Sequence, residues 1–250
     1  TAHDLAGNQA PGAGPSANFN VDNTAPACAI VQNGTLNTGI YWEASNNPTI
    51  SYDCTDNNGF AGFNAGSIQC SIDGGAYAAC PANAFVYAGG PPNGSFNLGG
   101  AKPDGVHTVQ LKASDTAGNS VTSGLITFTI DQTGPVLTCN GVTTGSWFNA
   151  GSGAQTFATC SDGAGSGCNG SLQCSWDGGT TWISCIEAMA AIPEGNPVSY
   201  KIKATDFIGN SATLNTCQYK LDKSGPSVSG VVIGTCAGSS TQPVLASKPY

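Results

Sequence analysis

The sequence predicts an all-β chain: β-sandwich domains in tandem, stapled by disulfides. Three observations carry that prediction. A phrase Asp-x-x-Gly-Asn occurs three times, strand-like alternation flanks its later copies, and eleven Cys stand beside only two His. The copies are His3-Asp4-Leu5-Ala6-Gly7-Asn8, Ser114-Asp115-Thr116-Ala117-Gly118-Asn119 and Thr205-Asp206-Phe207-Ile208-Gly209-Asn210. Each is followed downstream by an Asp-x-[Thr/Ser]-x-Pro signal, at Asp22–Pro26, Asp131–Pro135 and Asp222–Pro226.

Recurrence at spacings of 111 and 91 residues marks a tandem array. It divides the chain into a terminal hairpin of a preceding unit (1–26), two complete units (27–135 and 136–226) and the opening strands of a following unit (227–250). Each complete unit falls in the ordinary single-domain range and is long enough to bury a core. Only 9% of residues are charged, Arg is absent, and the net charge is −8. Such a balance argues against nucleic acid, where Lys and Arg supply the phosphate contacts, and against an anionic membrane surface. No run of apolar residues is long enough to span a bilayer as a helix.

The strands come next in order. In His107–Ala113, Val109, Leu111 and Ala113 share one face and Thr108, Gln110 and Lys112 the other, the period-2 signature of a half-buried strand. Tyr200, Ile202 and Ala204 repeat the pattern, with Lys201 and Lys203 outward. After the repeated phrase a second strand alternates: Ile126, Phe128 and Ile130 in one unit, Cys217, Tyr219 and Leu221 in the other. Two such strands around a Gly/Asn loop make a hairpin. Its Asp accepts hydrogen bonds from the turn backbone, and Gly or Asn supplies a positive φ. The nearest approach to a helix, Ile186–Ile192, is short and ends at Pro193. Many short strands in about 100 residues read as a sandwich.

So many Cys point to metal sites or to an oxidising compartment. With no Cys-x-x-Cys and few His to complete a zinc set, disulfides and an extracellular location are the better reading. The units align at Cys28 and Cys139, Trp42 and Trp147, Cys54 and Cys160, and Cys80 and Cys185. Gln69-Cys70-Ser71-Ile72-Asp73-Gly74-Gly75 matches Gln173-Cys174-Ser175-Trp176-Asp177-Gly178-Gly179. The Asp-Gly-Gly turns let Cys70 pair with Cys80 and Cys174 with Cys185. By the same alignment Cys28 pairs with Cys54 and Cys139 with Cys160. That leaves Cys168 for Cys217, and Cys236 unpaired or joined to another chain.

These motifs resemble the bacterial immunoglobulin-like repeats of large extracellular surface and adhesin-type proteins. The resemblance rests on the Gln-Cys-Ser-x-Asp-Gly…Cys hairpins, on Asp104-Gly105-Val106-His107-Thr108-Val109, and on the repeated phrase with its linker. It implies immunoglobulin-like sandwiches in a stalk, fibre or surface array, and it names no ligand. The second unit departs from the pattern at Phe207-Ile208 and lacks the His, and the first carries a Gly- and Pro-rich stretch, 88–104.

An enzyme is not expected, because no convergent acid, base and nucleophile set is present. The acidic residues are the better candidates. Asp53 and Asp56 stand beside Asn57 and Asn58, and Asp22, Asp131 and Asp222 recur at the linkers. Hard oxygen ligands there would suit Ca²⁺, although turn capping accounts for the same residue types and is the favoured reading. Asn33, Asn93 and Asn169 open glycosylation sequons but read first as Asn-Gly turns. Trp42 and Trp147 suit packing; Trp176 and Trp182, in the second unit alone, are candidates for a surface contact with a glycan or a neighbouring subunit.

The half-units at either end would expose apolar faces and open strand edges, which copies of the chain would complete head to tail, by strand complementation. The expected role is therefore an extracellular structural protein, the subunit of a bacterial surface filament. The alternatives are the non-polymeric stalk of an adhesin and, less favoured, a secreted carbohydrate-binding module.

Overall fold

A computed structural model describes residues 3, 5–8, 21–31, 34–37, 39–56, 62–86, 93–140, 147–149, 151, 153–188 and 190–227. Cys236 and most of the two terminal segments lie outside these residues.

The chain is all-β, and its strands follow the alternation of the sequence. The first unit contains β1 (Ala27–Val31), β2 (Thr35–Asn37), β3 (Ile40–Glu43), β4 (Ile50–Thr55), β5 (Gln69–Ile72), β6 (Ala78–Ala79), β7 (Ala84–Phe85), β8 (Gly94–Phe96), β9 (Gly105–Ser114), β10 (Ser120–Thr122) and β11 (Ile126–Ile130). They form two sheets, β1-β4-β8-β7 and β2-β3-β11-β9-β5-β6, with β10 also on β9. Ile50, Tyr52 and Phe96 from the first sheet pack with Val109, Leu111, Phe128 and Ile130 from the second, all nearly or fully buried. Burying each such side chain contributes about 1.5–3 kcal/mol. Gly94 is required by close approach, since a Cβ there would sit 2.1 Å from the Tyr52 ring.

The second unit contains β12 (Val136–Cys139), β13 (Trp147–Asn149), β14 (Ala154–Thr156), β15 (Ala158–Ser161), β16 (Gln173–Ser175), β17 (Ile183–Ser184), β18 (Ile186–Ala188), β19 (Gly195–Thr205) and β20 (Ser211–Asp222). Its main sheet runs β13-β20-β19-β16-β17, beside the pairs β12-β15 and β14-β18. Tyr200, Ile202, Cys217, Tyr219 and Leu221 alternate inward onto Phe157, as their period-2 spacing dictates. The stretch with the nearest approach to a helical pattern holds strand β18 instead.

Five disulfides among the described residues staple these sheets. Cys28 pairs with Cys54, Cys70 with Cys80 and Cys174 with Cys185. The remaining four differ from the unit alignment: Cys139 pairs with Cys217, and Cys160 with Cys168. Strand register explains the difference. Cys28 stands directly opposite Cys54, whereas Cys160 faces Leu137, and Cys139 faces Ala158 two residues further on. Leu137 is thus the true counterpart of Cys28. Cys139 instead reaches the facing strand β20, and Cys160 is left to close a short loop with Cys168.

Candidate metal centres at the unit junctions

The repeated phrase does more than turn the chain. In the second unit the Asp206 carboxylate accepts hydrogen bonds from the backbone N–H of Ile208, Gly209 and Asn210 at 2.7–3.0 Å. Gly118 and Gly209 stand at φ +97° and +99°, the left-handed conformation that favours glycine in this turn. The Asn of the phrase then reaches out of its own turn. Asn210 Nδ2 donates to Asp206 Oδ2 at 2.7 Å and to the backbone carbonyl of Asp131 at 3.0 Å. Asn119 Nδ2 does the same, donating to Asp115 Oδ2 at 2.7 Å and to the carbonyl of Asp22 at 2.9 Å. Each phrase therefore clamps the linker that precedes its own unit.

The linker Asp residues share a local fold. Asp22, Asp131 and Asp222 each accept the backbone N–H two residues on, through Oδ1. This is the expected turn cap, and it leaves the other oxygen to face elsewhere. Asp131 Oδ2 accepts the Ser166 N–H at 2.7 Å. Gly134 fits the linker against the end of the phrase, where a Cβ would meet the Ser211 carbonyl at 2.6 Å.

Two clusters result. Asp22, Asp56 and Asp115 each offer a carboxylate oxygen within 4.8 Å of the others, and Asp131, Asp162 and Asp206 do the same. The clusters are equivalent: a linker Asp, an Asp after the strand that pairs with the first strand, and the Asp of the repeated phrase. Of the candidate ligands read from sequence, Asp22, Asp56 and Asp131 are brought together with partners. Asp53 stays half-buried on β4 opposite Ala29, and Asp222 joins no cluster among the described residues. Asp115, Asp162 and Asp206 were missed as members of these clusters. The signal was present for two of them, as the acidic residue of the repeated phrase.

Three close carboxylates repel, and burial sharpens the cost. Desolvation, helped by the charges of Asp131 and Asp206, pushes the Asp162 carboxyl up despite the Gly167 N–H that it accepts at 2.7 Å. Burial works to raise Asp115 too, but hydrogen bonds from Asn119, Gly118 and Ala117 outweigh it and hold its carboxyl below the usual range. Asp115 and Asp131 are 2% exposed and Asp206 is fully buried.

Observations at both centres fit a bound cation. Among the described residues, both carboxylate oxygens of Asp56 are buried without a hydrogen-bond partner, as is the hydroxyl of Ser166 beside Asp131. A buried carboxylate is retained when it is paired or coordinates a metal. Gly165 forms a cradle at the second centre, because a Cβ would lie 2.6 Å from Asp162 Oδ2 and 2.8 Å from Asp131 Oδ2. A cavity of about 190 Å³ opens there, lined by Asp104, Gly105, Asp131, Thr133, Asp162 and Gly165. An all-oxygen donor set without Cys or His matches Ca²⁺.

The other candidates are placed in structural roles. Trp176 packs edge-on against Phe157 and stacks on Tyr200, half in the core. Trp182 donates from Nε1 to the Gly179 carbonyl at 3.0 Å and carries the Lys203 ammonium 4.3 Å over its ring. Trp42 is buried, while Trp147 is half exposed. Asn93 is buried and bonds both backbone groups of Cys54, and Asn169 caps a turn at Ser171. Asn33 lies outside the described residues. His107 is held between Asp73, at 3.1 Å from Nδ1, and the Pro103 carbonyl, at 2.9 Å from Nε2.

No protein-family model matches the sequence, and no curated protein matches it. Among solved structures, the chain is similar to dimeric latent PorU from Porphyromonas gingivalis, at 17% identity and a TM-score of 0.33 over 81% of this chain and 21% of that one. It is also similar to a tetra-tandem repeat from the extending region of a large adhesion protein, at 19% identity and a TM-score of 0.29 over 81% and 51%. A third is SGBP-B of the Bacteroides ovatus mixed-linkage glucan utilization locus, at 12% identity and a TM-score of 0.25 over 80% and 48%. The chain thus spans 21% to 51% of the length of these structures.

Proposed function

We propose that this chain is an extracellular structural array whose junctions are stiffened by Ca²⁺, built to hold its β-sandwich units at a fixed spacing and angle. The observation that carries this reading is the recurrence of one three-carboxylate cluster at the two linkers that precede a complete unit, Asp22–Pro26 and Asp131–Pro135. Each cluster takes one Asp from the linker and two from the unit that follows. A cation held there resists bending between linker and unit, because bending would pull ligands apart. Disulfides support the same role: each adds about 2–4 kcal/mol to a small domain and limits unravelling. Five of them fit an oxidising, extracellular setting.

In this reading copies of the chain join head to tail into a surface filament. The alternative, a stalk that holds an adhesin head away from the cell, uses the same stiff junctions without polymerisation. Small-angle scattering of the purified chain in Ca²⁺ and in EDTA tests the stiffening. The chain should be longer and narrower in its distance distribution with Ca²⁺, and identical profiles would refute it. Negative-stain images then separate the two forms. Continuous fibres support the filament, and isolated rods at all concentrations support the stalk.

A further inference from the structure

The two centres are equivalent in their acidic residues but not in what holds them. The loop that carries Asp162 is closed on itself by Cys160–Cys168, a ring with a sequence separation of eight residues. Every donor that positions the second centre from this side lies within that ring. Ser166 N–H holds Asp131 Oδ2 and Gly167 N–H holds Asp162 Oδ2, both at 2.7 Å. The same ring docks outward on both sides. Ser166 accepts Asn37 Nδ2 through its carbonyl, at 2.6 Å, and the Gly167 carbonyl accepts Phe207 N–H, at 3.0 Å.

At the first centre the corresponding position is Phe63. It bridges to Asp115 as Cys168 bridges to Asp206, and the Gly62 carbonyl accepts Thr116 N–H at 3.2 Å. Phe63 is 7% exposed and packs in the core against Phe85. One loop is therefore anchored by a buried aromatic ring, the other by a covalent bond. The second loop, Ser161-Asp162-Gly163-Ala164-Gly165-Ser166-Gly167, contains three glycines and no large apolar side chain. Without its disulfide it has no hydrophobic anchor, and its glycines leave it more conformations to lose on binding a cation. Cys160–Cys168 is also the one described disulfide in which neither cysteine is buried.

We propose that the Cys160–Cys168 disulfide is the positioning element of the second cation centre, so that opening it unloads this centre and leaves the first one loaded. The proposal rests on the Ca²⁺ reading above. It gives the array one junction whose loading depends on the Cys160–Cys168 bond and one whose loading does not.

Calorimetric titration of the full chain with Ca²⁺ tests this. An Asp56→Asn background isolates the second centre, and an Asp162→Asn background isolates the first. Adding Cys160→Ser and Cys168→Ser together should weaken second-centre binding about 10–100-fold, the range seen when outer-shell support is removed. First-centre affinity should stay within about twofold under the same change, since its donors are untouched. A disulfide serving only global stability would lower the calcium-free melting temperature and leave both affinities of the folded chain alone.

A second measurement avoids dependence on the serine variant. Limited reduction with a water-soluble phosphine converts this disulfide to two thiols and the phosphine to its oxide, with water supplying the oxygen and protons. After alkylation and a mass check that Cys160 and Cys168 are the only cysteines modified besides Cys236, the same selective loss should appear. Unchanged second-centre affinity in either preparation would overturn the proposal while sparing the Ca²⁺ reading. Absence of binding at both centres of the unmodified chain would overturn the two together.

Discussion

On the Ca²⁺ reading, removing the cation should destabilise the second unit, and pH should then act in opposite directions with and without it. Fully ionised, each pair of carboxylates within 4.8 Å repels by on the order of 3.5 kcal/mol at an effective dielectric of about 20. Half-exposed Asp162 screens part of that, and partial protonation relieves more, so the net strain is smaller than the sum of pairs. A cation present at about 100 times its dissociation constant adds about 2.7 kcal/mol per site. For a unit of this size that is a rise on the order of 10 °C in melting temperature.

In EDTA, Asp162 is the informative group. Its folded carboxyl is raised, first by burial and then by Asp131 and Asp206. The stability this gives is complete below the unfolded carboxylate range and is lost as pH rises through the raised folded value. Melting temperature in EDTA should therefore contain a component that falls as pH climbs out of the carboxylate range. In Ca²⁺ the slope should reverse, because protons compete with the ion for the same oxygens. Calorimetric scans across pH, with and without Ca²⁺, read both trends. Asp162→Asn should remove the EDTA slope, and Gly165→Ala should weaken the Ca²⁺ gain by placing a methyl between Asp131 and Asp162. Identical scans in Ca²⁺ and EDTA at every pH would refute the reasoning.

Other outcomes follow from the same contacts. Asn210→Ala removes one donor from both the Asp131 carbonyl and Asp206, and should cost about 2–3 kcal/mol in urea unfolding; a loss under about 0.5 kcal/mol would contradict the clamp. Non-reducing peptide mapping should recover Cys139 linked to Cys217 and Cys160 linked to Cys168. Removing the first of these, which spans 78 residues, should cost about 4.5 kcal/mol on the chain-entropy estimate. Desolvation acts to raise Asp73, but hydrogen bonds from Thr108 and His107, with the charges of His107 and Lys102, hold its carboxyl below the usual range. Its stabilisation is present above the unfolded carboxylate range and lost as pH falls through the lowered value, so Asp73→Asn should flatten the acid limb of the unfolding curve.

Much of the fold was legible because alternation is a local signal. Val109, Leu111 and Ala113, and likewise Tyr200, Ile202 and Ala204, are buried where period-2 spacing puts them. Local hairpin turns likewise placed Cys70 near Cys80 and Cys174 near Cys185. Cys139 was misassigned because alignment by residue type ignores register, and a two-residue offset turns a cross-strand pair into a cross-sheet one. The packing of Trp176 was not legible because nothing local shows that Phe157 and Tyr200 converge on it. Turn chemistry fully explained Asp206 within its own phrase, which hid its meeting with Asp131 and Asp162.

By itself, then, the sequence determined the strands, the repeat and the acidic residue in every copy of the repeated phrase, since all three depend on near neighbours along the chain. Only the tertiary structure decided which carboxylates meet and which cysteines join. Asp131 and Asp206 stand 75 positions apart in the chain, and they meet Asp162 only where the folded linker is clamped by Asn210 and the Asp162 loop is closed by Cys160–Cys168.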